Sequence, residues 1–346
     1  MSTIVLTGGG TAGHVMPHIA LKPHLDKHFS KVVYIGTKTG IEKDIILNTG
    51  GFEYYEIDAV KLNRSKILKN LLIPFKYIKS KHQAKKILKQ VRPNIIFSKG
   101  GYVSLPVVSA AKRLHIPVIA HESDLSIGLA NRLSKSKCNC ICTTFEETSK
   151  HLGKKGIYTG SPIIICNEQT VKPKSSKPVL LITGGSLGAK FINNIVWKCI
   201  HELCKKFYVI HQVGKGNINS NINLPDYKQV EFVDNMSTLI KQADIVVSRA
   251  GSNTIFEIAT YKKPMLLIPL PKGVSRGDQI DNANYFKKLG YAKVLFQEDI
   301  SPEIFIKNIC ELFKDKQTYI NNLYNANIPN GCTKILNLIL SYKTTY

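Results

Sequence analysis

Residues 3–14, TIVLTGGGTAGH, and residues 179–190, VLLITGGSLGAK, decide the fold. Each sets a short apolar, β-branched run against a glycine-rich turn and then a segment of helical pattern. A near-continuous apolar run of strand length reads as a strand covered on both faces, as in a parallel sheet. The glycines let the backbone approach a phosphate, and the following helix offers unbonded N–H groups and the positive end of its dipole. The device occurs twice, which predicts two α/β domains, each opening with the same strand, turn and helix.

Working outward, β-branched runs alternate with helical stretches along the chain. Strands are predicted at Thr3–Thr7, Val32–Ile35, Ile95–Ser98, Val118–His121 and Cys140–Thr143, then at Val179–Thr183, Tyr208–Gln212, Val230–Phe232, Ile245–Ser248 and Met265–Ile268. Strand–helix alternation predicts doubly wound parallel sheets with helices on both faces. The pattern restarts after a Pro/Lys/Ser-rich stretch, Thr170 to Pro178, which reads as a linker or exposed loop. The expected division is 1–162 and 163–327, with a cleft between the domains and residues 328–346 packing back on the first.

Gly8-x-Gly10-x-x-Gly13 satisfies the dinucleotide fingerprint literally. The acidic residue that should follow the second strand and hold a ribose is missing, because Tyr34-Ile35-Gly36-Thr37 stands there. A dehydrogenase therefore loses its main support.

Composition bounds the rest. The chain has 346 residues, 43% of them apolar and 21% charged, which suits a globular protein with two cores. No apolar run approaches the ~18 residues of a spanning helix, and the first residues lack a signal-peptide layout, so a cytoplasmic protein is expected. The formal charge of +24 points to an anionic partner: nucleic acid, a membrane surface or a phosphorylated substrate. Residues 1–160 hold 25 Lys/Arg against 10 Asp/Glu, and no acidic residue lies between Asp58 and Glu122. Within that stretch, residues 61–92 read KLNRSKILKNLLIPFKYIKSKHQAKKILKQVR. Ile67, Leu71, Phe75 and Ile78 recur at helical spacing, Leu68 and Leu72 widen the stripe, and Lys66, Lys69, Lys76, Lys79 and Lys81 surround it. A basic helix with an apolar stripe suits an anionic bilayer surface, at roughly 1 kcal/mol per basic residue. The alternative is an ordinary amphipathic helix facing its own core. Pro74 is expected to end or kink it.

The eight cysteines are scattered and read as reduced thiols. Cys138, Cys140 and Cys142 alternate as on one strand face, which suits core packing better than a tetrahedral metal site. No metal or cofactor is expected.

Six blocks in order carry a resemblance: GGGTAGHVMPHIAL, SKGGYVSLPVVSAA (Ser98–Ala111), HESDLSIGLAN (His121–Asn131), TGGSLGAK, SRAGSNTIFEI (Ser248–Ile258) and GDQIDNAN (Gly277–Asn284). Together they resemble the MurG family, the UDP-GlcNAc-dependent N-acetylglucosaminyltransferases of peptidoglycan synthesis, over roughly residues 3 to 325. The resemblance implies a GT-B architecture of two Rossmann-like domains facing across a cleft. It implies UDP-GlcNAc bound by the second domain and undecaprenyl-pyrophosphoryl-MurNAc-pentapeptide received by the first, at the cytoplasmic face of the cell membrane. Transfer to the 4-hydroxyl with inversion, in cell-wall biogenesis and hence cell shape and division, is implied as well. A diacylglycerol glycosyltransferase of the same fold is the near alternative, and a basic nucleic-acid-binding protein the remote one, lacking any nucleic-acid motif.

Glycosyl transfer needs a base for the acceptor hydroxyl and positive charge or dipole for the departing UDP. His14, Glu122 and Asp124 are the candidate bases, His14 ranked first and Glu122 second. On the donor side the resemblance implies Glu257 on the ribose hydroxyls, Gln279 on the GlcNAc hydroxyls, Val233 at the uracil, and Ser252, Asn253 and Thr254 near the diphosphate and sugar. Ser186 is expected to give a hydroxyl to the pyrophosphate, Arg249 to replace a cation there, and Thr11, Ala12 and Gly13 to adjoin the donor. Gly10, Gly100, Gly101, Tyr102, Asn131 and Gly185 are placed in acceptor or phosphate loops. Three positions depart from the common pattern: Ala12 for a glycine, Asp124 for an asparagine, and Ile164 for an arginine, whose nucleotide contact is therefore not carried over.

Overall fold

A computed structural model of the chain describes residues 2–61, 73–165, 170–185, 188–233, 235–274 and 276–343. They form two compact units, Met1–Ile163 with Pro329–Tyr346, and Ile164–Ile328. The first holds β1 (Thr3–Thr7), α1 (Met16–Leu25), β2 (Lys31–Thr37), α2 (Ile41–Thr49), β3 (Glu53–Ile57), α3 (Ile73–Val91), β4 (Ile95–Ser98), α4 (Ser104–Arg113), β5 (Val118–Glu122), α5 (Leu129–Ser134), β6 (Cys140–Thr143), α6 (Glu146–Leu152) and β7 (Gly156–Tyr158). Its strands make one sheet in the order β3-β2-β1-β4-β5-β6-β7, and every pair is parallel.

The second unit holds β8 (Val179–Thr183), α7 (Lys190–Lys206), β9 (Tyr208–Gln212), β10 (Tyr227–Val230), α8 (Met236–Gln242), β11 (Ile245–Ser248), α9 (Ser252–Thr260), β12 (Met265–Leu267), α10 (Asp278–Lys288), β13 (Lys293–Val294), α11 (Pro302–Lys314) and α12 (Lys316–Asn325). Its sheet, β10-β9-β8-β11-β12-β13, is also all parallel. The last helix, α13 (Gly331–Tyr342), packs on the first unit, with Cys332, Ile335 and Ile339 buried in the same cluster as Ile4, Leu6 and Phe97. Alternation along β1 explains how one strand serves two layers: Val5 joins one core cluster, Ile4 and Leu6 the other.

Three strands went unread in the sequence, and all are short or at an edge. β3 reads EYYEI, with its glutamates outward, and β7 and β13 have three and two residues. Tyr227–Val230 forms β10 where the sequence suggested Val230–Phe232, because Lys228 and Gln229 sit on the outer edge and mask the apolar signal. The Thr170–Pro178 stretch is not a linker. Lys172 pairs with Asp244 at 2.9 Å and Lys177 with Asp226 at 2.7 Å, both within the second unit. Cys138 lies outside β6 and packs in a different cluster from Cys140 and Cys142, so the three do not share one strand face.

On α3 the buried residues are Ser80, Ala84, Ile87 and Leu88. Phe75 and Ile78, which carry the apolar stripe into the described helix, are 72% and 64% exposed. Pro74 is the second residue of that described helix. Lys66, Ile67, Leu68, Lys69, Leu71 and Leu72 lie outside the described residues. Among the described residues no helix is long and apolar enough to cross a membrane.

Candidate active site

Each sheet reverses its winding at its first strand, which lies between the second and fourth of its unit: β1 between β2 and β4, and β8 between β9 and β11. At such a switch point the loops leaving two neighbouring strands diverge and open a crevice at their carboxyl ends. In the first unit those loops follow β1 and β4; in the second they follow β8 and β11. The two sites are built differently.

In the first unit, β1 runs into Gly8–Gly10 and a 3-10 turn, Ala12–His14, before α1. The Nδ1 of His14 lies 3.0 Å from the Gly9 carbonyl oxygen and 3.1 Å from Thr11 Oγ1. A carbonyl oxygen only accepts, so Nδ1 carries the proton of the neutral ring and the basic lone pair sits on Nε2. His14 and Ala12 are half-buried, while Thr11 and Gly13 are exposed.

The glycines after β4 are there for close packing of chain on chain. A Cβ on Gly101, at φ +79, would collide with the Gly9 carbonyl and stand 3.4 Å from His14 Nδ1. A Cβ on Gly100 would stand 3.1 Å from the Asn131 amide, and one on Gly10 2.8 Å from the Tyr102 ring. Gly10 is thus packed on Tyr102, Gly100 on Asn131 and Gly101 on Gly9, with no space for a side chain at any of the three.

Glu122, a candidate base, is hydrogen-bonded within its own loop. It ends β5, is 5% exposed, and accepts from the N–H groups of Asp124 at 3.2 Å and Gly128 at 2.9 Å, and from Asn131 Nδ2 at 2.9 Å. Burial raises its pKa and those N–H donors oppose the rise. A carboxylate with three donors already on it organises the 122–128 loop. Asp124 rides on that loop, half-buried.

Two polar residues of this site gave no functional signal in the sequence. Lys99 was one lysine among many, yet it is 2% exposed, with Nζ 2.7 Å from His121 Nδ1 and 2.6 Å from Ser123 Oγ. Burial pushes it down to about 7, against the pull of Glu122 and Asp124. The same burial, with Lys99 beside it, holds His121 well below the ordinary histidine value. Glu42, fully buried at the start of α2, accepts from Thr37 N at 3.1 Å, Thr37 Oγ1 at 2.5 Å and Gly10 N at 3.1 Å. In the sequence Glu42 is simply one of two acids, with Asp44, in the first turn of α2.

In the second unit the turn after β8 is less encumbered. Gly185 takes φ +89, its N–H donates to Thr183 Oγ1 at 3.1 Å, and among the described residues a Cβ there would meet nothing within 4 Å. Thr183 Oγ1 in turn donates to Gln212. Gly188 must be a glycine, because a Cβ would collide with Val213 O. Ser186 lies outside the described residues. The turn leads into the 17-residue α7, whose N-terminus has no side-chain cap, so its first N–H groups point at the turn.

Beside it, α9 starts directly after the β11 loop with Ser252, Asn253 and Thr254 in its first turn, Ser252 buried and the other two half-buried. Glu257 follows one turn on, half-buried, and accepts from Ser237 Oγ of α8 at 2.7 Å. Burial raises the Glu257 pKa and the Ser237 hydroxyl partly offsets that. Ser237 also lies 2.9 Å from the Ile164 carbonyl, while the Ile164 side chain is 43% exposed. Gln279, in the first turn of α10, accepts from Leu270 N at 3.1 Å, which leaves its amide NH₂ as the donor end. Val233 is half-buried after β10.

Arg249, expected at the pyrophosphate, makes several hydrogen bonds to the protein itself. Its guanidinium is 9% exposed and donates to Ile268 O and Pro269 O at 3.2 Å and to Gln297 Oε1 at 3.1 Å. Its Nε is buried without a hydrogen-bond partner, and burial lowers its pKa. The side chain ties the end of β11 to the segment after β12 and to Gln297.

Known proteins with the same features are readily found. Residues 4–143 match the glycosyltransferase family 28 N-terminal domain, and residues 179–335 match the family 28 C-terminal domain. A Clostridium tetani protein named UDP-N-acetylglucosamine–N-acetylmuramyl-(pentapeptide) pyrophosphoryl-undecaprenol N-acetylglucosamine transferase is 47% identical over 352 residues, covering 99% of this chain and 98% of its own. A Clostridium kluyveri protein of the same name is 47% identical over 354 residues, covering 99% of this chain and all of its own. Among solved structures, Acinetobacter baumannii MurG superposes with a TM-score of 0.78 at 26% identity, over 99% of this chain and 100% of that one. The calicheamicin glycosyltransferase CalG4 has a TM-score of 0.76 at 12% identity, over 99% of this chain and 98% of its own, and shares the fold alone.

Proposed function

This chain belongs to glycosyltransferase family 28, within the MurG family of N-acetylglucosaminyltransferases, and from that premise we propose how its residues divide the work. The enzyme moves GlcNAc from UDP-GlcNAc to the 4-hydroxyl of undecaprenyl-pyrophosphoryl-MurNAc-pentapeptide, a step of peptidoglycan synthesis. The observation that carries the donor assignment lies in the second unit, where the open glycine turn heading α7 borders a loop that leads to Glu257.

UDP is held at that switch point. The α7 N-terminus and the Gly184–Gly188 turn meet the diphosphate, where oriented N–H dipoles stabilise the charge that grows on the leaving group. Glu257 accepts from both ribose hydroxyls, for which a carboxylate has the lone pairs. Val233 borders the uracil, Ser252, Asn253 and Thr254 approach the diphosphate and sugar, and the Gln279 amide donates to a GlcNAc hydroxyl. The acceptor O4–H loses its proton to His14 Nε2 as O4 bonds to the anomeric carbon. The anomeric carbon–oxygen bond breaks with its electron pair leaving on UDP. One displacement inverts the α-linked donor to a β-linked product. Glu122 is the second candidate base and Asp124 the third. No metal has a role in this reading, so chelation leaves the rate within about twofold.

Transfer from UDP-GlcNAc to the lipid-linked muramoyl-pentapeptide, with release of UDP, is the test; diacylglycerol as the preferred acceptor would overturn it. We assign the basic, apolar stripe of residues 61–92 to a peripheral contact with the anionic inner leaflet, supported by the exposure of Phe75 and Ile78. The double variant Phe75→Ser/Ile78→Ser should lose sedimentation with anionic vesicles at unchanged Tm. Retained sedimentation would remove these residues from the contact.

A further inference from the structure

We propose that Glu42 is a positioning residue for the transfer reaction, acting on His14 through the single peptide group that lies between them. It rests on the reading of His14 as the base. The Gly9–Gly10 amide is bonded at both ends. Its N–H, on Gly10, donates to Glu42 Oε2 at 3.1 Å; its carbonyl, on Gly9, accepts from His14 Nδ1 at 3.0 Å. The carboxylate and the imidazole thus grip the two poles of one amide dipole. A negative charge at the N–H end draws that proton outward and builds electron density on the carbonyl oxygen, which strengthens the second bond. The result is a carboxylate–histidine pair with a peptide unit between its members, holding the proton on Nδ1 and the lone pair on Nε2.

The surrounding chain is built to keep these three groups in line. Thr37 anchors the other Glu42 oxygen with both its N–H and its hydroxyl. Gly9 has no room for a side chain, since a Cβ would stand 2.7 Å from Glu42 Cδ and 2.8 Å from Val103 Cγ2. Gly101 has none either, because its Cβ would displace the Gly9 carbonyl from His14. Tyr102 covers Gly10 from the same loop. Three loops, after β1, β2 and β4, therefore converge on one amide.

The test compares Glu42→Gln, Thr37→Val and His14→Ala in the full-length enzyme. Histidine ring ¹⁵N shifts at about pH 8, where a histidine of ordinary pKa is neutral, report the tautomer, with the His14 signal identified by its loss in His14→Ala. In the wild type His14 should be the Nδ1–H tautomer. In Glu42→Gln it should become a mixture, with kcat reduced by roughly 10- to 100-fold and the KM for UDP-GlcNAc within about twofold. Thr37→Val loosens the anchor but keeps the charge, so at a comparable loss of Tm its loss of kcat and its shift of tautomer should be clearly smaller than those of Glu42→Gln. An unchanged tautomer in Glu42→Gln overturns the inference. So does an equal loss of kcat in Thr37→Val at equal loss of Tm, which would reveal a merely structural role. Full turnover in His14→Ala would instead remove the base assignment, and the tautomer result would still decide whether Glu42 acts on His14.

Discussion

The two units carry the same sheet order around their first strand and the same glycine-rich turn after it, yet the turns are used in opposite ways. In the first unit the turn is closed by protein: Glu42 takes the Gly10 N–H, Tyr102 lies on Gly10, and Gly101 admits the Gly9 carbonyl. In the second, Gly184 and Gly188 are packed on Ala189 and Val213, but among the described residues nothing stands within 4 Å of a Cβ on Gly185, near the head of a long helix. A glycine turn before a helix is thus a permissive device. What fills it, a side chain or a ligand, is decided by the neighbouring loops.

If the closed turn serves a base and the open one serves the donor, variants in the two should fail differently. The largest effect belongs to His14→Ala, which should lower kcat about 10²- to 10⁴-fold with little change in the KM for UDP-GlcNAc; near-wild-type turnover would break the contrast. Glu257→Ala should do the reverse, raising that KM about 10- to 100-fold, as expected for lost hydrogen bonds to a charged group, without unfolding the protein. Titration of initial rates against UDP-GlcNAc separates the two.

Alanine at the glycines tests closed against open directly. Gly101→Ala should cost about 1–3 kcal/mol of stability from overpacking, read as a lower Tm. Gly185→Ala meets no neighbour among the described residues, so its penalty should be backbone strain at positive φ, about 1 kcal/mol, and its larger effect should be on donor affinity. Equal loss of Tm at both positions would show that the second turn is as tightly packed as the first.

Lys99→Met gives the smallest effect on catalysis and a distinct pH signature. The native pKa of Lys99, about 7, lies below the unfolded value of ~10.4, so between these pH values the unfolded chain binds more protons. The Lys99 contribution to stability therefore rises with pH across that window. Lys99→Met should gain most over the wild type below pH ~7 and progressively less toward pH ~10. A stability difference that does not vary with pH would show that Lys99 stays charged in the folded state.

The amino-acid sequence by itself determined the doubly wound class, nine of the strands and the family, and misplaced a tenth. Apolar runs, glycine turns and helical spacing are local, and motif order needs no coordinates. It could not distinguish Lys99 from the surface lysines around it, because burial is a property of what packs over a residue. Nor could it relate Glu42 to His14, 28 residues apart in the chain. The tertiary structure joined them through one amide where three loops converge. It also turned Arg249 inward onto Ile268, Pro269 and Gln297, and gave the Glu122 carboxylate to its own loop. A side chain's chemistry is written in its residue type, but whether that chemistry serves a substrate or the fold depends on which donors and acceptors reach it first.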